Sequence, residues 1–417
     1  MRRLNLVHAP EKGAVALIVS VLFGFGVLLG SAALTIDVGN LNAERRQVQN
    51  GADAASLAAA RLCADKNCPT WTSTGTTPPF TTTPEITDIA NANAADANTF
   101  VQRLVPTQPA VCGSDPKGVL PACTVTSPDV KDLTECPPAK IPAGAKGWLR
   151  VYTKTKLADG STVLPYYFAQ TLTGSFKGGT QQTCASTAWG PVGKYTAVVP
   201  ITISLCQWEE FTKPVPPSTE PRFQTAPDGT KPGYYDAKAP QWPPSTEEQT
   251  IMIQKDTSGC LLKNGHASPG GFGWVTDGSG TCSLKATSGQ WVQVDTGSSP
   301  KCNLGTAWRG TILIPVFDCI AATPADPVAP ETCTTPAKGG SNTYFRIVGY
   351  ASFYLSGYSF GRCNGSTLLC EPARWGSTCT PSQACLFGWF TKGTLLDAPI
   401  GDGTGTDYGV SAIQVLG

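Results

Sequence analysis

The sequence predicts a mainly β protein with an N-terminal α part. One transmembrane helix continues into a helical stem and then a disulfide-rich, β-sandwich-like ectodomain in two lobes. Three observations predict it. Residues 13–36 carry no charge and are mostly Val, Leu, Ala, Gly, Ile and Phe. All sixteen cysteines lie after that run. Beyond Trp148, several short runs are β-branched or aromatic, alternate apolar with polar, and are bounded by Gly, Pro or Ser, the pattern of half-buried strands.

As a helix, residues 13–36 reach about 36 Å, enough to cross a hydrocarbon core of roughly 30 Å with some tilt. Arg2, Arg3 and Lys12 precede the run and Asp37 follows it. The positive-inside bias then places residues 1–12 in the cytoplasm and the ectodomain outside a cell membrane crossed once. A cleaved secretory signal is the competing reading, since Ser31-Ala32-Ala33 offers small residues to a peptidase. The run is longer than the roughly 7–15 apolar residues of a signal core, which favours a retained anchor. Within it, Gly26 and Gly30 stand at GxxxG spacing, which permits close helix packing or self-association. Asp37 is expected as a solvated charge marking the interface.

Residues 37–62 contain no proline and are rich in Ala, Gln, Glu and Arg, all helix formers. Leu41, Val48, Ala52, Ala55 and Ala59 recur at helical intervals and make one mild apolar face. The helix is therefore expected to leave the membrane as an exposed stem, weakest at Gly39 and Gly51.

These residues resemble the N-terminal segment of TadE/TadG-like proteins of the Flp (tight adherence) pilus assembly system. The likeness covers residues 11–60. It is carried by Gly13-Ala-Val-Ala16, by Ala33-Leu-Thr-Ile-Asp-Val-Gly39, and by Arg45-Arg-Gln-Val-Gln-Asn-Gly-Ala-Asp-Ala-Ala-Ser-Leu-Ala-Ala-Ala60. The resemblance implies a bacterial envelope protein, pilin-like in plan, that assembles or anchors a surface pilus with other Flp assembly proteins. One departure bears on processing. Pilin-like proteins cut by a prepilin peptidase usually carry glutamate five positions after the cleavage-site glycine, whereas Gly13 is followed at that position by Ile18. A retained anchor fits better than a processed pseudopilin.

Cysteine usage this dense points to an oxidising compartment and up to eight disulfides. Zinc is disfavoured, because no two cysteines stand at C-x2-C spacing and His266 is the single histidine beyond the apolar run. Spacing cannot fix connectivity. Short separations nominate Cys63 with Cys68, Cys112 with Cys123, Cys260 with Cys282, Cys319 with Cys333, and Cys379 with Cys385. Each bridge would add about 2–4 kcal/mol.

The 44 glycines and 35 prolines in 417 residues stay below the roughly 25–30 % that marks low complexity. Ten tryptophans point to folded cores, and a net charge of +1 leaves no polybasic footprint for nucleic acid. A first lobe over 63–206 begins with a Thr/Pro-rich stretch and a helix from Thr83-Pro84-Glu85 to Pro106, with Ile86, Ile89, Ala97, Phe100 and Leu104 on one face. Strands are expected at 148–153, 201–205, 291–294, 311–314 and 344–355. Nine prolines between Trp208 and Glu248 make 207–249 a linker or insertion before a second lobe at 250–417. Val199-Pro200 and Ile314-Pro315, each leading a strand that ends in Cys206 or Cys319, give a faint hint of duplication.

Three motifs invite chemistry. Gly357-Tyr-Ser359-Phe-Gly361 matches G-x-S-x-G, but no histidine follows Ser359 to serve as its base. Asp277-Gly-Ser-Gly-Thr281 resembles part of a metal-ion-dependent adhesion site, and Asp402-Gly-Thr-Gly-Thr-Asp407 lacks the alternating acids of a calcium loop. All three read as turns or strand glycines, so neither catalytic residues nor a cofactor are expected. The expected function is non-enzymatic. A surface adhesin unrelated to pili is the alternative, and a secreted wall hydrolase a weaker one, for which no acidic pair is nominated.

Overall fold

The computed structural model describes residues 12–65, 68, 84–101, 109–123, 140–168, 178–197, 199–224, 243–252, 272–276, 283–295, 304–305, 307–321, 343–360, 370–380, 383–396, 398–401 and 406–416. Helix α1 (Lys12–Asp65) is one uninterrupted element, so the apolar run and the stem share a single axis. Helix α2 (Pro84–Ala92) follows, then two strands, β1 (Thr99–Val101) and β2 (Val111–Ser114).

The helix expected up to Pro106 stops at Ala92 because polar side chains capture the backbone that would have continued it. Asn93 Nδ2 donates to Ile89 O (2.8 Å), Asn91 Oδ1 accepts from Thr99 N–H (2.9 Å), and Asp96 Oδ1 accepts from Asn98 N–H (2.9 Å). Ala97 turns the chain at φ 55°. Residues 99–101 then pair antiparallel with residues 153–155 instead of forming a last helical turn.

A first sheet has the order β1-β3-β6-β18-β17, with β2 beside β1 on the same edge of β3. Its strands are β3 (Gly147–Thr155), β6 (Gln182–Pro191), β17 (Gly393–Leu396) and β18 (Val410–Val415). The stem half of α1 lies on this sheet. Val48, Ala52, Ala55 and Ala59, four of the five residues assigned to its apolar face, are fully buried. The stem is thus a packed layer and not an exposed rod. Its alanines let the helix approach closely enough for hydroxyls to bridge the two layers. Ser56 Oγ lies 2.8 Å from Thr187 Oγ1, and Thr153 Oγ1 donates to Val48 O (3.0 Å).

The second sheet has the order β12-β10-β8-β13-β14-β16-β9, with β15 on β14. It is built from β8 (Ile201–Ser204), β9 (Gln249–Met252), β10 (Phe272–Thr276), β12 (Trp291–Asp295), β13 (Gly310–Ala321), β14 (Thr343–Phe360), β15 (Cys370–Glu371) and β16 (Ala384–Thr391). Because β12 pairs with both β10 and β14, the pairings β8-β10-β12-β14-β13 close a ring, which removes free edges from its centre. Trp274, Phe317, Phe345, Phe353 and Trp389 are buried in this half, and Phe317 stacks on Phe345 with ring centres 3.8 Å apart. Two-stranded pairs complete the fold: β7 (Lys194–Ala197) with β11 (Leu284–Thr287), and β4 (Leu164–Pro165) with β5 (Gly178–Gly179).

The five strand regions read from the sequence all carry strands. Their grouping departs from a division into 63–206 and 250–417. Strand β8 belongs to the second sheet, and β17 and β18 return to the first, where β18 pairs with β6. Running into 207–249 is a short helix, α3 (Leu205–Phe211), capped by Ser204, which accepts from Gln207 N–H. Trp208 of α3 meets Tyr408 edge-on at 5.0 Å. Cys206 therefore lies in a helix and Pro315 lies inside β13, so the two Pro-led segments are not equivalent.

Gly388 sits at φ 154°, opposite the bulge at Leu355–Gly357, and a Cβ there would come 1.9 Å from Tyr354 O. Gly388→Ala is expected to lower stability by about 2–4 kcal/mol, combining backbone strain with displacement of a neighbouring strand. Gly118→Ala, at φ 67° with nothing within 4 Å, should lose only about 1 kcal/mol. Urea midpoints of the two variants check the contrast.

Candidate functional site

The segment that stands apart from every core is the first half of α1. Leu17, Leu22, Phe23, Phe25, Val27 and Leu28 are each more than 60 % exposed, and no residue in the most apolar window of the helix is buried. This helix is long and apolar enough to span a bilayer. An all-round apolar surface of this kind is stable only where lipid or another helix covers it. Gly26 and Gly30 have nothing within 4 Å of where a Cβ would stand, so their backbone is open to close approach.

Asp37 ends the apolar run, and it is not solvated as expected: it is 4 % exposed. Its carboxylate accepts from the backbone N–H of Tyr167 at Oδ1 (3.0 Å) and of Phe168 at Oδ2 (3.1 Å). Sequence reasoning missed this tie because the partners are main-chain groups about 130 residues away. The only trace in the sequence is the aromatic triplet Tyr166-Tyr167-Phe168 behind Pro165. The hairpin β4–β5 carries these residues along the stem. A Cβ on Gly179 would lie 3.5 Å from Leu41 Cδ2, which places the hairpin base one helical turn beyond Asp37.

Farther up the stem, Glu44 is 5 % exposed and its Oε1 has no hydrogen-bond partner. Burial holds its carboxyl above the ordinary value of 4.5; a hydrogen bond with Thr155 opposes this, and the charge of Asp96 adds to it. The folded chain thus keeps this proton to a higher pH than the unfolded chain does. Rising pH through that window removes stability. Glu44→Gln should therefore raise the melting temperature at neutral pH, and the gain should fade as pH drops below 4.5. Melting curves taken across this range test the sign.

At the far end of the stem, a cavity of about 280 Å³ is lined by Cys63, Asp65, Lys146, Trp189, Lys392 and Asp407, among others. Its charges are mutually engaged. Lys146 pairs with Asp407 (3.4 Å), and Lys392 Nζ donates to Asp65 O (3.2 Å). The cavity reads as a seam where the helix end meets the first sheet and the segment around Phe223.

Among the described residues, three of the nominated disulfides are present: Cys63–Cys68, Cys112–Cys123 and Cys379–Cys385. Cys319 is also disulfide-bonded, as are Cys184, Cys206 and Cys370. Cys260, Cys282 and Cys333 lie outside the described residues. Gly357–Phe360 of the G-x-S-x-G motif lie inside β14, and Ser359 is 8 % exposed, between Cys370 of β15 and Cys385 of β16. A strand interior cannot supply the strand-to-helix elbow that such a nucleophile needs. Asp277-Gly-Ser-Gly-Thr281 and residues 402–405 are outside the described residues. Asp407 accepts from Gly409 N–H (2.9 Å), as a turn residue does. No cluster of three His, Cys, Asp or Glu side chains suited to a metal occurs among the described residues.

No curated protein and no solved structure matches the chain. Its N-terminal segment, residues 13–62, which is the exposed apolar helix together with the stem seated on the first sheet, matches the family described as "Putative Flp pilus-assembly TadE/G-like".

Proposed function

We propose that this chain is a membrane-anchored, exported and non-enzymatic component of Flp (tight adherence) pilus assembly or anchoring. In this reading the N-terminus is cytoplasmic and the β-rich part extracytoplasmic, with the other Flp assembly proteins as partners. One observation carries the reading. The family match coincides with a single helix that is bare of protein contacts over its apolar half and packed over its stem half, the build of an anchor rigidly joined to what it anchors. The disulfides support export. Gly26 and Gly30 offer a face for a second membrane helix.

Cross-linking intact membranes and purifying the full chain tests the proposal. Recovery of Flp pilin or its membrane assembly platform is the expected result. Recovery of only wall or host-surface ligands, or a wholly soluble chain, would overturn it.

A further inference from the structure

We propose that Tyr167 and Phe168 form a second membrane contact, an aromatic foot resting in the lipid headgroup layer beside the exit of α1. This inference depends on the reading of α1 as a membrane anchor, and the height of the foot follows from that helix. Residues 13–36 take up about 36 Å, and roughly 30 Å of this matches the hydrocarbon core. Asp37 is therefore at, or within a few ångströms of, the lipid boundary. The carboxylate of Asp37 accepts from the backbone N–H of both Tyr167 and Phe168, so these two residues are fastened at the same height.

Both residues keep exposed surface. Tyr167 is 64 % exposed and Phe168 41 %, and Val163 on the same hairpin is 46 % exposed. On α1 at this level, Leu34, Ile36 and Val38 are exposed as well. Such a cluster facing water forfeits apolar burial. Facing the headgroups, it gains that burial while the tyrosine hydroxyl stays hydrated, the reason aromatic residues gather at membrane interfaces. Lipid is favoured over a protein partner because the patch is continuous with the exposed span itself. Asp37 is then a positioning residue. Its charge is satisfied by main-chain donors, which lets a carboxylate sit at the boundary while it sets the depth of the hairpin.

The test places the photoreactive residue p-benzoylphenylalanine in the full chain in its own membrane, in three variants: Leu22→p-benzoylphenylalanine, Phe168→p-benzoylphenylalanine and Val215→p-benzoylphenylalanine. All three side chains are exposed, so folding is preserved. Val215 is near Glu220, which lines the cavity at the far end of the stem. Mass spectrometry of the irradiated peptides should find phospholipid adducts at 22 and 168 and none at 215. Adducts at 22 without adducts at 168, or protein adducts at 168, would overturn the foot and leave the anchor standing. No lipid adduct at 22 would overturn the anchor reading itself.

Discussion

Leu22→Arg combined with Phe25→Arg is expected to move the chain out of the membrane fraction. Both side chains lie mid-run and are more than 60 % exposed, with no protein contact to shelter a guanidinium. Each arginine near a bilayer centre costs about 2.5–3.5 kcal/mol on insertion scales. Two together shift the partition by roughly four orders of magnitude. The folded β part should be unaffected, since the apolar half of α1 contributes nothing to its cores. Alkaline extraction of membranes reads the partition, and near-ultraviolet circular dichroism of the released chain reads the fold. Continued resistance to extraction would sink the anchor reading. Loss of the dichroism signal would show that the apolar half supports the fold after all.

Asp318→Ala is the second large effect, at about 3–5 kcal/mol of lost stability. Asp318 on β13 is fully buried, and it receives Arg346 of β14 through two bonds, Nε to Oδ1 (2.9 Å) and Nη2 to Oδ2 (2.7 Å). The ladder skips Asp318: Phe317 pairs with Ile347 and Cys319 with Arg346, so the aspartate is the extra residue of a bulge. That bulge re-aims its side chain toward the guanidinium. Alanine takes from the buried guanidinium of Arg346 the carboxylate that receives two of its hydrogen bonds, which is costlier than losing the pair as a whole. Asp318→Leu with Arg346→Met should therefore recover much of the loss. Urea titrations followed by tryptophan fluorescence decide the matter. A single variant no worse than the double would show that the pair is not the source of the destabilisation.

What the sequence disclosed depended on whether the determining contacts were local. The stem's apolar face was legible because Val48, Ala52, Ala55 and Ala59 repeat with the helical period, and β3, β12 and the start of β14 were legible through β-branched and aromatic runs. Strand β6 was not. Its sequence, Gln-Thr-Cys-Ala-Ser-Thr-Ala-Trp-Gly-Pro, is small and polar where it is most buried, because Thr183 and Thr187 face a helix that supplies amide and hydroxyl partners, while Ser186 on the other face meets Arg150 of β3. Thr183 donates to Gln49 Oε1, and Arg150 Nε donates to Ser186 Oγ (2.8 Å). Strand β16 is buried along its whole length and shows no alternation. At the candidate site, the apolar run declared itself by length alone. The seat of Asp37 did not, since main-chain donors leave no side-chain signature.

The placement of β18 sets an order of events. Ile413 packs in the same core cluster as Ala55, Ala59, Leu149 and Trp189, so the layer that receives the stem is incomplete until β18, far along the chain, is in place. The stem, which precedes β18 by most of the chain, must wait for it. Such closure between distant parts of a chain is slow, and the waiting alanine-rich helix presents an uncovered face in the meantime. Seating of the stem is thus gated by the arrival of β18, and a chain cut between the two would keep its stem unseated.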